Sequence, residues 1–189
     1  MRRFVTEAIL RAVTTPLRLR VHAVLLAVAA LILIAPAAFA IWVPQTRAEF
    51  VDAVAKGTRG AKMESFVVER GFDDVVKTFD ARCTPCLDKL VQRTANVGYV
   101  ERSSTDYNPS FRHLSRDRAE FTMQVVHRPA GVGAHPPEGG LYVMAVDLKR
   151  AGAHRTEVVL YRPTMGYKFL SEALMEWAEG TSTDCPKLK

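Results

Sequence analysis

The sequence predicts an α+β domain carried on a membrane segment. One antiparallel sheet of about five strands packs against two helical regions, in the order strand, helix, four strands, helix. Three observations carry that class. The run Ala23–Val43, AVLLAVAALILIAPAAFAIWV, contains no charged side chain. Phe72, Val75, Val76 and Phe79, and later Phe169, Leu170, Ala173, Leu174 and Trp177, recur at helical spacing. Between those stripes, from Gly98 onward, apolar and polar residues alternate with a period of two, the mark of antiparallel strands buried on one face.

The apolar run sets the compartment. A helix crosses a hydrocarbon core of ~30 Å with about 20 apolar residues, and no backbone group stays unpaired in lipid unless the segment is helical. Trp42 stands at its C-terminal end, where an indole suits the headgroup boundary. Ahead of it are Arg2, Arg3, Arg11, Arg18 and Arg20 against the single acid Glu7. Basic flanks stay cytoplasmic, so the remainder of the chain is expected outside the cytoplasm, as the extracytoplasmic part of a single-pass cell-membrane protein. The alternative is a signal peptide cleaved after Ala40, with Ala38-Phe39-Ala40 as the cleavage site and Pro36 as the helix breaker. A signal's apolar region spans about 7–15 residues; this run is longer, and the anchor is the preferred reading. Both readings export the domain, the second as a secreted or periplasmic protein.

Charge follows the same division. The 189 residues carry a formal charge of +6, but five of the 26 basic residues and one of the 20 acidic ones precede the apolar run, which leaves 21 against 19 after it. A domain so balanced lacks the basic footprint of a nucleic-acid binder. The chain therefore divides into a basic cytoplasmic tail at 1–22, a bilayer-spanning anchor at 23–43, a spacer at 44–62 and an extracytoplasmic domain at 63–189. The tail carries a weak amphipathic pattern around Phe4, Ile9 and Val13, broken at Thr14-Thr15-Pro16.

The elements follow in order. Within the spacer a short helix is expected over Arg47–Ala55, before Gly57 and Gly60. Met63–Arg70, MESFVVER, has strand composition and ends at Gly71. Phe72–Ala81 is the first amphipathic helix, with Asp73 and Asp74 in the first turn, where carboxylates suit the helix dipole. Thr84-Pro85 interrupts it, and a restarted helix runs through Leu87, Leu90 and Val91, because threonine caps and proline opens a helix. Tyr99–Ser104 is a short strand and Thr105–Ser110, with Asp106, Asn108 and Pro109, a turn. Arg118–Arg128 alternates cleanly, Ala119, Phe121, Met123 and Val125 against Glu120, Thr122 and Gln124. Leu141–Lys149 and Thr156–Arg162 form two further strands joined through Gly152. Pro163 closes the last strand, and Gly166–Gly180 is the final helix. This order is similar in theme to Start-like ligand-binding domains, where a curved antiparallel sheet grips a long C-terminal helix; the likeness lies in element order, and no motif carries it.

The candidate chemistry is sparse. Cys83-Thr84-Pro85-Cys86 resembles the active-site tetrapeptide of thioredoxin-like oxidoreductases, whose reactive thiolate sits at a helix N-terminus. Here a helix precedes it and no βαβ pattern surrounds it, so a thiol–disulfide oxidoreductase using Cys83 and Cys86 stands as the alternative function. His113, His127, His135 and His154 lack the i, i+4 spacing of helical metal ligands and read as surface histidines. The sequence holds no nucleophile elbow, P-loop or dinucleotide fingerprint, and no catalytic residue, cofactor or metal site is assigned. Pro129–Gly140, PAGVGAHPPEGG, bridges two strands with far more than the usual 2–5 residues of a hairpin loop. Its Pro129, Gly131, Gly133, His135, Pro136, Pro137, Gly139 and Gly140 form a candidate binding loop, since long loops on rigid sheets carry function.

Three cysteines in an oxidising compartment leave one odd thiol. Cys83–Cys86, Cys83–Cys185 and Cys86–Cys185 are the possible pairings. A bridge to Cys185 accounts for a cysteine in the polar tail Thr181–Lys189. Cys86 is the preferred partner, beside Leu87 on the core side, with Cys83 as the exposed odd thiol. The function expected is that of a membrane-tethered, non-enzymatic domain binding an apolar ligand or an envelope protein.

Overall fold

A computed structural model describes residues 43–189 apart from 59, 97, 99 and 130–134. The basic tail, all of the expected anchor except Val43, and the position after Ala40 lie outside the described residues. Among the described residues no helix is long and apolar enough to cross a membrane. Residues Val43–Lys189 form one compact unit.

The chain folds as α1 (Arg47–Ala55), β1 (Ala61–Val68), α2 (Phe72–Leu87), β2 (Lys89–Asn96), β3 (Val100–Ser115), β4 (Arg118–Arg128), β5 (Leu141–Arg150), β6 (Thr156–Pro163) and α3 (Lys168–Glu179). The six strands make one antiparallel sheet in the order β1-β6-β5-β4-β3-β2. Among the described residues the class is α+β with six strands, against the expected five, and three helices, the two expected in the domain and the short one expected over Arg47–Ala55. The hairpin chain from β2 to β6 keeps sequence neighbours together. Only β1 crosses, to lie beside β6.

Alternation along each strand gives the sheet two faces. The inner face carries Phe121, Met123 and Val125 of β4, Val146 and Leu148 of β5, and Val158 and Leu160 of β6. Against it pack Val75, Val76 and Phe79 of α2 and Leu170, Leu174 and Trp177 of α3. Phe79 sits at the centre, its ring 6.0 Å from Trp177 and edge-on to it, and 5.9 Å from Phe111. Burying each such side chain stabilises the fold by about 1.5–3 kcal/mol. Arg70 fixes the far end of α3 by donating to the Trp177 carbonyl at 2.8 Å and to Thr78 Oγ1 at 2.9 Å.

The outer face is covered in part by α1, which starts where Thr46 Oγ1 accepts from the Glu49 amide. Phe50 and Val54 bury against Ala145 and Tyr161, and Phe50 stacks on Tyr142. Residues 44–62, expected as a spacer with a short helix over Arg47–Ala55, hold that helix at those bounds, and it packs on the sheet. Beneath α1 the carboxylate of Glu120, 6 % exposed, is held between two guanidinium groups. Arg47 reaches it at 3.1 Å and also bonds Asp147 and Thr122; Arg112 donates to its other oxygen at 2.9 Å through Nε. A charge this far from water persists only when paired and hydrogen-bonded.

Three local expectations are corrected. The helix is not interrupted at Thr84-Pro85: α2 runs unbroken to Leu87 with Pro85 inside. Proline removes its own donor and crowds the carbonyl four residues back; at Pro85, in the last turn, that carbonyl is the one of Ala81, and only two helical residues follow. The helix does not restart through Leu90 and Val91. It ends at Asp88, and Lys89–Asn96 is β2, paired along its length with β3. Thr105–Ser110 is not a turn but the middle of β3. Pro109 is tolerated because β2 ends opposite Tyr107, which leaves β3 beyond that point with an open edge.

Candidate functional site

Strand β3, the end of β4 and the first turn of α3 converge on the inner face around a cleft of about 410 Å³, within the size range of small-molecule sites. Arg93, Tyr107, His127, Gly166, Tyr167, Lys168, Phe169 and Lys189 line it, with no acidic side chain among them. Tyr107 is brought there by the inward register of β3, and Arg93 by pairing with Ser103 on the neighbouring strand.

The first turn of α3 is built unusually. Tyr167 adopts the left-handed conformation, φ 46° and ψ 14°, directly after Gly166 at φ 73°. A non-glycine residue in that region costs on the order of 1–3 kcal/mol and collects at functional sites. Its carbonyl accepts the Leu170 and Ser171 amides and so starts the helix. Its phenol oxygen lies 3.1 Å from His127 Nε2, and His127 Nδ1 lies 3.0 Å from Thr105 Oγ1. A hydroxyl, an imidazole and a phenol thus form a chain along the cleft wall. Burial pushes the Tyr167 phenol up to about 12, with the nearby Tyr107 adding to it. Burial also raises Tyr107, partly offset by its bond to the Lys189 carbonyl. Both phenols are therefore neutral donors at physiological pH.

The C-terminal tail makes the remaining wall. From Gly180 it turns back along α3: Trp177 Nε1 donates to the Asp184 carbonyl at 3.0 Å. Cys185 is joined to Cys86 with their Cα atoms 5.0 Å apart, and Leu188 packs on the core. Tyr107 then donates to the Lys189 carbonyl at 2.6 Å, and the Lys189 ammonium stands 5.7 Å from the Phe169 ring centre. The bridge closes a separation of 99 residues and ties the end of α2 to this tail. Cys83 corrects an expectation. It is the odd thiol, but at 2 % exposure it is buried, and burial with Asp80 and Asp88 nearby pushes it up to about 12. It is buried because α2 continues through Pro85, which keeps Cys83 and Cys86 one turn apart on the core face.

The candidate binding loop is split. Gly131 and Gly133 lie outside the described residues. Pro129 follows the end of β4 and is exposed, as are His135, Pro136 and Gly139, while Pro137 is half-buried. The returning half is pinned to the outer face: Gln124 Nε2 donates to the Glu138 and Gly140 carbonyls at 2.9 Å. Asn108 Nδ2 donates to the Gly139 carbonyl at 3.0 Å. Gly140, at φ 102°, sits so close to β4 that a Cβ there would come within 2.2 Å of the Val125 carbonyl oxygen. The described part of the loop does not line the inner cleft.

Sequence reasoning missed Tyr107, Tyr167, Phe169 and Lys189 as site residues and set His127 aside as a surface histidine. One local signal was present, a Gly-Tyr pair immediately before the final apolar stripe. Among the described residues no group of three or more His, Cys, Asp or Glu is placed to hold a metal ion. Comparison with family models and with curated proteins finds no match.

Proposed function

We propose that the protein is a membrane-tethered, exported, non-enzymatic domain that binds an apolar ligand with an anionic group in the cleft at the start of α3. The observation that carries this reading is the lining of that cleft. Tyr107, Tyr167 and Phe169 offer aromatic surface, while Arg93, Lys168 and Lys189 supply positively charged side chains with no acidic side chain among the lining residues. An aromatic wall favours an apolar body, and guanidinium or ammonium groups pair with a carboxylate, sulfonate or phosphate head. The two neutral phenols and the His127 ring add hydrogen-bonding groups at the boundary between these parts. Export rests on the charge asymmetry about residues 23–43, and a disulfide suits an oxidising compartment.

The thiols support this reading over an oxidoreductase. A redox thiolate must be accessible and of low pKa, whereas Cys83 is buried and raised, and Cys86 is already bonded to Cys185. Titration of the purified protein with a fluorescent polyene fatty acid tests the proposal. One saturable site is expected, weakened by at least about tenfold in Phe169→Glu, which exchanges apolar surface for a repelling charge. Absence of saturable binding, or binding unchanged in that variant, refutes it.

A further inference from the structure

A second cleft lies on the opposite, outer face of the same strands, with a volume of about 490 Å³. Gln92 and Thr94 of β2, Arg102 and Ser104 of β3, and Arg128 with Pro129 at the end of β4 line it, with Arg93 and Ser103 of the alternate register at its edge, and no acidic side chain does. Register makes this a built surface: Arg102 pairs with Thr94, Gln92 with Ser104, and Ser104 with Arg128, so their side chains share one face. Arg112 of β3 and Arg162 of β6, like Arg47 of α1, are instead each paired with a carboxylate. On the same face, Leu90 and Val100 stand 51 % and 61 % exposed. The described chain also begins on this face. Gln45, two residues after Val43, donates to the His135 carbonyl at 3.2 Å, and Arg47 bonds Thr122 and Asp147. Val43 is the last residue of the apolar run read as the anchor.

We infer that the outer face of β2, β3 and the end of β4 is a docking surface for anionic phospholipid headgroups. Arg102 and Arg128 take the phosphates, the hydroxyls of Thr94 and Ser104 complete their hydrogen bonding, and Leu90 and Val100 meet the apolar boundary beneath. Guanidinium forks match phosphate oxygens in pairs, and exposed apolar side chains beside them suit a bilayer interface. Charge complementarity and the position at which the apolar run enters the domain select a membrane as the occupant. The inference rests on the anchor reading; Arg93, which lines both clefts, is not among the residues it uses.

The test uses the full chain in nanodiscs of phosphatidylcholine, with or without phosphatidylglycerol. Co-elution of chain and disc reads the anchor by itself. Hydroxyl-radical footprinting of Leu90 and Val100 then reads the docking. An anionic surface favours each nearby arginine by about fivefold, so two shift the docked fraction by roughly thirtyfold. Protection of Leu90 and Val100 is expected in the anionic discs only, and is lost in Arg102→Glu/Arg128→Glu. Equal labelling in both discs with the chain co-eluting overturns the inference. So does equal protection by inorganic phosphate in phosphatidylcholine discs, which assigns the cleft to a soluble anion. A chain that fails to co-elute overturns the anchor, and the docking with it.

Discussion

Removing the bridge between Cys86 and Cys185 tests how far the tail depends on it. The two residues are separated by 99 positions, and in the chain-entropy model a loop of about 100 residues restricts the unfolded chain by about 4.7 kcal/mol. The folded side contributes little in the opposite direction. Cys86 is already 1 % exposed beside Leu87, and Trp177, Leu188 and Tyr107 hold the tail at three further points. Those contacts keep the reduced tail near its folded position, so the loss falls mainly through the unfolded state. Guanidinium unfolding of Cys86→Ser/Cys185→Ser against the parent should show a loss of about 3–5 kcal/mol, with a steeper denaturant dependence because the unfolded chain expands. A loss below about 1 kcal/mol with unchanged slope refutes the reasoning. It would mean that the unfolded chain is compact without the bridge.

Four further outcomes follow from particular groups. Cys83 should resist thiol reagents until the chain unfolds. The folded chain keeps the proton of this thiol between the ordinary value of 9.0 and about 12, while the unfolded chain releases it. The Cys83 contribution to stability should therefore be constant below pH 9 and fall across that window, by up to about 1.4 kcal/mol per pH unit, beside the fall that the raised Tyr107 and Tyr167 phenols add above pH 10. Cys83→Ala should remove the part that begins near pH 9, measured by denaturation. Arg47→Ala leaves Glu120 with Arg112 alone beneath α1 and should cost about 3 kcal/mol, the lower end for breaking a buried pair, read as a drop in melting temperature. Tyr167→Gly relieves the left-handed backbone, so it should leave stability within about 1 kcal/mol while weakening binding of the polyene fatty acid. Alkaline phosphatase fused after Lys189 should be active, because that reporter needs an oxidising compartment; an inactive fusion contradicts export.

The parts of the fold legible in the sequence were those where one face decides everything. Ala119–Val125 alternates residue by residue, and the inner face of β4 follows from that alone. The stripe from Leu170 to Trp177 reads as α3 because every member is buried against the sheet. Strand β2 was misread because Leu87, Leu90 and Val91 mimic helical spacing. In the structure Leu87 closes α2, while Leu90 and Val91 point to opposite faces of a strand. Strand β3 was hidden by Asp106, Asn108 and Pro109, a turn composition overridden by pairing with β4. That misreading removed Tyr107 from consideration and with it the inner cleft. The cleft residues come from β2, β3, β4, the turn before α3 and the tail, so no spacing in the sequence joins them. The buried Glu120 was equally unreadable, since on an alternating strand it occupies the position of a solvent-facing charge.

The most direct measurement of ligand binding is crosslinking with a diazirine-bearing fatty acid, followed by peptide mapping. The cleft at the start of α3 should direct label to the segment containing Tyr167 and Phe169 and to Tyr107 on β3, with competition by unlabelled fatty acid. Label that resists competition, or that falls on α1 and the outer face instead, contradicts the assignment of the cleft as the binding site.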